Sequence, residues 1–295
     1  MFKKGELTTQ QIVLLIILIV SFAIILFFIF KLNLGGETAQ DVCHNSVVAR
    51  GMSIVPSDAF PLKCQRQYVC LSADGTCEQM TKPTIIKVQN KTQVYQVLAE
   101  DLANCWWMFG EGKVDYSPST ITPKNDCSVC SQIAFDNSVD KIFNSQSFDK
   151  KDFYNYLATA KRSDGTTYQN YFLLNGILDY QGDFGKVDLT KQYYSLIGIT
   201  TRTSKVGWIA GGAVALGVAS GVLLAIPTGG VSLLVVGVSL GGAVAGGVGG
   251  AIASTYFLAP TVKGPSGNAY IPPSLIQVNS PEFNALNCSM IVTSS

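Results

Sequence analysis

The sequence predicts a membrane-anchored protein in four parts. These are a leader and transmembrane helix (1–31), a disulfide-rich α+β domain outside the cytoplasm (32–205), a glycine-rich helical hairpin (206–259) and a tail returning to the domain (260–295). Three observations predict this arrangement. No charge lies between Ile12 and Phe30, all eight cysteines follow that run, and no charge interrupts the chain between Lys205 and Lys263. Charged residues make up 14 % of the chain, against about 25 % in average soluble proteins. That deficit is local to the two uncharged segments, since the apolar content of 47 % is ordinary. A net charge of +1 supplies no basic field for nucleic acid.

The first segment is almost wholly Ile, Leu, Val and Phe. At about 1.5 Å per residue its helix is about 28 Å long, close to the roughly 30 Å of a bilayer core. A buried core helix would keep a polar stripe, and this run has none. A cleavable secretory signal would have a shorter apolar region of about 7–15 residues followed by small residues. Here the run closes on Phe28-Ile29-Phe30-Lys31, where the lysine can reach the headgroups.

The residues in front of the helix are Lys3-Lys4-Gly5-Glu6-Leu7-Thr8-Thr9-Gln10-Gln11. This stretch resembles the class III signal peptide of archaeal type IV pilin-like proteins, in which a short basic leader ends in Lys/Arg-Gly. The resemblance implies cleavage on the cytoplasmic side between Gly5 and Glu6, with the apolar helix kept on the mature protein. It also implies that the helix anchors the protein or joins copies of it. The family commonly has Glu at the fifth mature position, and Gln10 stands there in this chain. The resemblance covers only about the first 31 residues; an ordinary signal anchor with flanking lysines is the alternative.

The cysteines set the expected side of the membrane. Cys43, Cys64, Cys70, Cys77, Cys105, Cys127, Cys130 and Cys288 all follow the helix. An even number confined to one side reads as disulfides formed in an oxidising compartment. Eight cysteines allow roughly a hundred pairings, and spacing does not choose among them. Lys3 and Lys4 against Lys31 favour a cytoplasmic N-terminus by a narrow margin. Asn90-Lys91-Thr92 and Asn287-Cys288-Ser289 are glycosylation sequons that fit an exterior location. Cys127-Ser128-Val129-Cys130 has zinc-knuckle spacing, but no second such pair completes a site, so no metal or cofactor is expected.

Within the domain, Asp41 to Cys77 reads as short strands and loops. Thr84–Val88 is strand-like. Val94, Val97, Leu98, Leu102, Cys105, Trp106 and Phe109 recur at helical spacing, which predicts a helix over Thr92–Phe109 ended by Gly110. Gln132–Phe135 is strand-like, and Asp149 can cap a helix running to Lys161. Tyr168–Leu178 and Gln192–Thr201 alternate as strands do. Cys288 predicts that the tail is tied back to the domain.

In the last uncharged segment, Pro227-Thr228-Gly229-Gly230 marks a turn between two stretches each long enough to span as a helix. Glycines recur four apart at Gly207/Gly211, Gly217/Gly221 and Gly237/Gly241, and then at Gly242, Gly246 and Gly250. Small residues at that spacing let two membrane helices approach closely. They would pack the arms of the hairpin together, join copies into an oligomer or pore, or serve a hairpin that inserts on a trigger. The turn inside would carry no positive charge, against the positive-inside preference.

Enzyme signatures do not close. Asn104-Cys105-Trp106-Trp107 resembles a papain-type nucleophile, but His44, the one histidine, lies upstream, where that family has it downstream. Cys127/Cys130 lacks the strand-to-helix setting of a redox dithiol, and no Gly-Lys-Ser/Thr follows the glycines. The expectation is a pilin-like cell-surface protein of structural or interaction role. Its partners would be the lipid bilayer, further copies of itself and other surface proteins. The alternative is a pore-forming or membrane-remodelling protein acting through the hairpin.

Overall fold

The structure is a computed structural model that describes residues 9–31, 38–52, 61–117, 125–174, 178, 184–200, 225–228, 231–239, 254–263, 269–286, 288 and 290–291. The chain divides into two compact units, Met1–Thr38 and Ala39–Ser295. The first contains helix α1, Thr9–Lys31. Among the described residues no helix is long and apolar enough to cross a membrane. The part of α1 whose side chains are described, 12–25, measures about 21 Å at about 1.5 Å per residue.

The second unit is α+β. Its helices are α2 (Ala39–Met52), α3 (Lys91–Met108), α4 (Asp140–Phe143), α5 (Lys150–Thr159), α6 (Tyr168–Tyr171) and α7 (Pro281–Ala285). Its strands are β1 (Gln67–Ser72), β2 (Thr84–Lys87), β3 (Asn125–Phe135), β4 (Ser147–Asp149), β5 (Lys186–Asp188), β6 (Tyr193–Thr200), β7 (Ala225–Thr228), β8 (Val231–Ser239), β9 (Ser254–Lys263), β10 (Ala269–Gln277) and β11 (Met290–Ile291). Among the described residues, nine of these form one mixed sheet in the order β2-β1-β3-β6-β10-β9-β8-β7, with β11 also on β3. β1 runs parallel to both β2 and β3, and the pairs from β3 through β6, β10, β9, β8 and β7 are antiparallel. β6 occupies one edge of β3, so β1 and β11 share the other, β11 at Asp126–Cys127 and β1 from Ser131 onward.

α3 lies against the sheet, touching β3, β6 and β10. Its apolar stripe of Val94, Leu98, Leu102, Cys105 and Trp106 is buried. The helix begins where Asn90 accepts from the Gln93 amide at 2.9 Å and Gln93 Oε1 accepts in return from the Gln89 amide at 2.7 Å. The first bond satisfies an amide that the helix leaves unpaired, and the second ties the residue before the cap to the first turn. The helix ends where Gly110 takes φ +76°, the left-handed conformation that lets a chain leave a helix. The main core gathers Trp106, Phe109, Tyr116, Phe135, Tyr193 and Tyr270 with α3 and the sheet. An aromatic group of Tyr95, Phe143, Phe148 and Phe153 extends it, with ring centroids 5.0–5.9 Å apart. A smaller cluster of Cys127, Val129, Leu196, Ile271, Ile276 and Leu286 forms separately.

Several local expectations are corrected. The stretch from Asp41 to Cys77, expected as short strands and loops, begins instead within α2, Ala39–Met52. α2 buries only Cys43 and Val47, too short a stripe to register as a helical period. It is held by tertiary ties: Cys43–Cys64 and the Lys63 amide donating to Ser46 Oγ at 3.0 Å. Tyr168–Leu178 was expected as a strand, but Tyr168–Tyr171 is a helical turn capped by Thr167, whose Oγ1 accepts from the Asn170 amide at 3.3 Å. Tyr168 and the residue that ends the turn, Phe172, are both buried. The strand expected at Gln132–Phe135 starts earlier, at Asn125.

The helical hairpin is also corrected where the segment is described. β7 pairs with β8 and β8 with β9, all antiparallel; of the turn expected at Pro227–Gly230, Pro227 and Thr228 are strand residues of β7, and Gly229 and Gly230 lie outside the described residues. The composition of β8, with four valines in nine residues, favours strand over helix. In the tail, Pro272 and Pro273 fall where the β10–β6 register shifts, between Ile271 and Ser274. A bulge is where a sheet accepts residues without an N–H.

Candidate functional site

α1 presents the most unusual surface. From Ile12 to Val20, and at Phe22, Ile24 and Ile25, each large apolar side chain is 46–65 % exposed. Consecutive residues lie about 100° apart around a helix, so every face of this stretch is apolar and uncovered. The polar Ser21 keeps its hydroxyl inside the helix, donating to the Leu18 carbonyl at 3.0 Å. Gly5 and Glu6, the expected processing site, lie outside the described residues.

All eight cysteines are paired. The bonds are Cys43–Cys64, Cys70–Cys77, Cys105–Cys130 and Cys127–Cys288, with Cα separations of 4.4–6.4 Å, in the range a disulfide spans. Cys105–Cys130 staples α3 to β3, and Cys127–Cys288 ties the tail to the same strand, as the position of Cys288 led us to expect. Cys127 and Cys130 do not pair with each other because side chains three apart on a strand point to opposite faces. Cys130 lies in the main core and Cys127 in the smaller cluster. Both sulfurs are therefore committed to other partners, and the pair offers neither a redox dithiol nor a zinc knuckle. Among the described residues no group of three or more His, Cys, Asp or Glu could hold a metal. Cys105 has no free thiol.

His44 is a packing residue. Its ring stacks on Trp107 with centroids 4.1 Å apart and planes 9° from parallel. Its Nδ1 lies 2.7 Å from the Trp107 carbonyl, an acceptor, so Nδ1 carries the proton. The sequon residue Asn90 caps α3. Of the hairpin glycines, Gly237 lies in β8 opposite Tyr256. Gly207, Gly211, Gly217, Gly221, Gly241, Gly242, Gly246 and Gly250 lie outside the described residues.

Sequence reasoning missed a polar groove beside α3. It has a volume of about 340 Å³ and is lined by Glu100, Asn104, Trp107, Arg162, Ser163 and Tyr168. Glu100 and Asn104 share the outer helix face, and Gln96 Nε2 donates to Glu100 Oε1 at 2.9 Å. The far wall is the turn before α6. Arg162 there donates to Asp164 Oδ2 at 2.8 Å, and its guanidinium lies 3.4 Å from the ring centre of Tyr171. Tyr171 Oη donates to Glu111 Oε1 at 2.7 Å, and burial, with that carboxylate beside it, pushes the hydroxyl pKa up. The spacing of Glu100, Asn104 and Trp107 was visible in the sequence as the polar side of an amphipathic helix. Its facing turn, more than fifty residues away, was not.

Under α3 lies a second polar feature. Asp101 accepts from Ser131 Oγ at 2.6 Å, and burial holds its carboxyl above the ordinary 3.8 despite hydrogen bonds that pull it down.

No family model, curated protein or solved structure matches the chain.

Proposed function

We propose that the chain is a membrane-tethered, pilin-like surface protein whose role is interaction and not turnover. The uncharged segment at the N-terminus is the tether, and the disulfide domain stands on the exterior face. The observation that carries the reading is α1, apolar on every side and uncovered over 12–25. Covering a large apolar side chain is worth about 1.5–3 kcal/mol. With about half of each of these residues exposed, the stretch gains of the order of 10–20 kcal/mol when lipid or further copies of the helix surround it. The charge-free run Ile12–Phe30, about 28 Å long as a helix, supports a span, with Lys4 before it and Lys31 after it. Four disulfides support an oxidising exterior, and Lys4-Gly5-Glu6 supports trimming of the leader. Cell-surface proteins and other copies of the chain are the expected partners.

Fractionation tests the tether. The full chain should stay with the membrane through alkaline carbonate washing. Ile16→Lys with Ile19→Lys, each costing about 2.5–3.5 kcal/mol at the centre of a span, should release it with its disulfides intact. A washed-off native chain, or a double variant still held, would sink the reading.

A second reading, membrane insertion by the hairpin, is favoured by one observation. β8 and β9 are 9 and 10 residues long, and a membrane-crossing strand needs about 9–11. Leakage of dye from vesicles on adding the full chain supports it, and intact vesicles count against it.

A further inference from the structure

We infer that the groove beside α3 is a binding site for a neutral saccharide, a pyranose ring presenting hydroxyls to Glu100, Asn104 and Arg162. The volume of about 340 Å³ falls at the small end of the roughly 300–1,000 Å³ of ligand sites, which suits one or two sugar rings.

The lining is built to stay in place. Trp107 is braced from one side by the His44 ring at 4.1 Å and through its carbonyl by His44 Nδ1 at 2.7 Å. The Arg162 fork is fixed by Asp164 at 2.8 Å and by the Tyr171 ring at 3.4 Å, with 23 % of its side chain exposed. Glu100 is steadied by Gln96 at 2.9 Å. Side chains already ordered in the free protein lose little freedom when a ligand arrives.

The chemistry selects the class. A sugar hydroxyl both donates and accepts. Glu100 only accepts, Arg162 only donates, and the Asn104 amide does both, so adjacent hydroxyls find complementary partners. The apolar face of a pyranose needs an aromatic wall, and the half-buried Trp107 lines the groove to supply one. Charge argues against anions: Arg162 is already neutralised by Asp164, and Glu100 leaves the groove with a net negative charge. An acidic sugar or a free carboxylate would be repelled, and a neutral ring is not.

The inference concerns a face of the α+β unit and does not depend on the tether. The test uses the full chain in a sugar-free amphiphile such as lauryldimethylamine oxide. Ligand-observed saturation-transfer NMR is recorded with glucose, galactose, mannose and N-acetylglucosamine, and with glucuronate and acetate as anionic comparators. At least one neutral sugar should receive saturation at millimolar concentration, with glucuronate and acetate weaker. Asn104→Ala and Glu100→Gln, both at exposed positions, should each weaken binding about tenfold, equivalent to about 1.4 kcal/mol, at an unchanged melting temperature. Trp107→Ala should abolish it. No transfer to any of the four sugars, transfer unchanged in both Asn104→Ala and Glu100→Gln, or a preference for glucuronate or acetate would overturn the inference.

Discussion

At Gly112 the backbone has φ +70°, and a Cβ placed there would stand 2.9 Å from Cη2 of Trp106. Trp106 is 1 % exposed and has no room to retreat. Gly112→Ala should therefore cost about 1–3 kcal/mol, combining left-handed strain with a steric shift, read as a lowered urea midpoint. Asp101 makes a different demand. Because burial raises its folded pKa, its contribution to stability is full below the ordinary 3.8 and is lost as pH rises through the raised value. Asp101→Asn, which can still accept from Ser131, should raise the melting temperature at pH 7 and make no difference near pH 3. A fall at pH 7 would mean that the carboxylate is held charged by design. Little of this was legible in the sequence. Gly112 and Asp101 carry no local signature, because their constraints come from Trp106 and Ser131, which only the fold brings beside them. The number of cysteines announced disulfides, but the choice among pairings waited on which strand and helix meet.

α3 was the element most legible beforehand. Its apolar stripe is long enough to show a period, and Gly110 marks its end; the Asn90 cap at its start lies two residues before the expected Thr92. β2 and β6 were read within a residue or two for the same reason, their alternation being local. α2 failed because two buried residues make no period, and α6 failed because one turn of helix and a short alternating strand look alike. The segment after Lys205 was read from glycine spacing, yet four residues apart is one face of a strand as well as of a helix. The valines of β8 were the better guide. The staple between α3 and β3 carries a prediction at this scale. Cys105 and Cys130 are 25 residues apart, and a loop of that size stabilises by about 3.5 kcal/mol through the unfolded chain. Replacing both with Ala should lower unfolding free energy by about 2–4 kcal/mol while the other three bonds still form. A loss below about 0.5 kcal/mol would mean that packing of Trp106 and Leu102 alone seats the helix.

Across the whole molecule, the sheet joins chain segments from both ends of the domain. β10 and β11, from the tail, lie beside β6 and β3, and Cys127–Cys288 locks this return across a separation of 161 residues. Such long-range pairing stabilises most and forms slowly. The α+β class and the return of the tail were readable because cysteine position and strand alternation survive any topology. The strand order was not readable, since it depends on pairings that span the chain. The functional account rests on the other unit, where α1 exposes apolar side chains in every direction. The most direct test is the mature N-terminus of the native protein taken from membranes, determined by mass spectrometry without reduction and with thiol labelling. The account predicts a chain beginning at Glu6, retained by the membrane and with no cysteine labelled. A chain beginning at Met1, recovered without detergent and labelled at its cysteines, would contradict it.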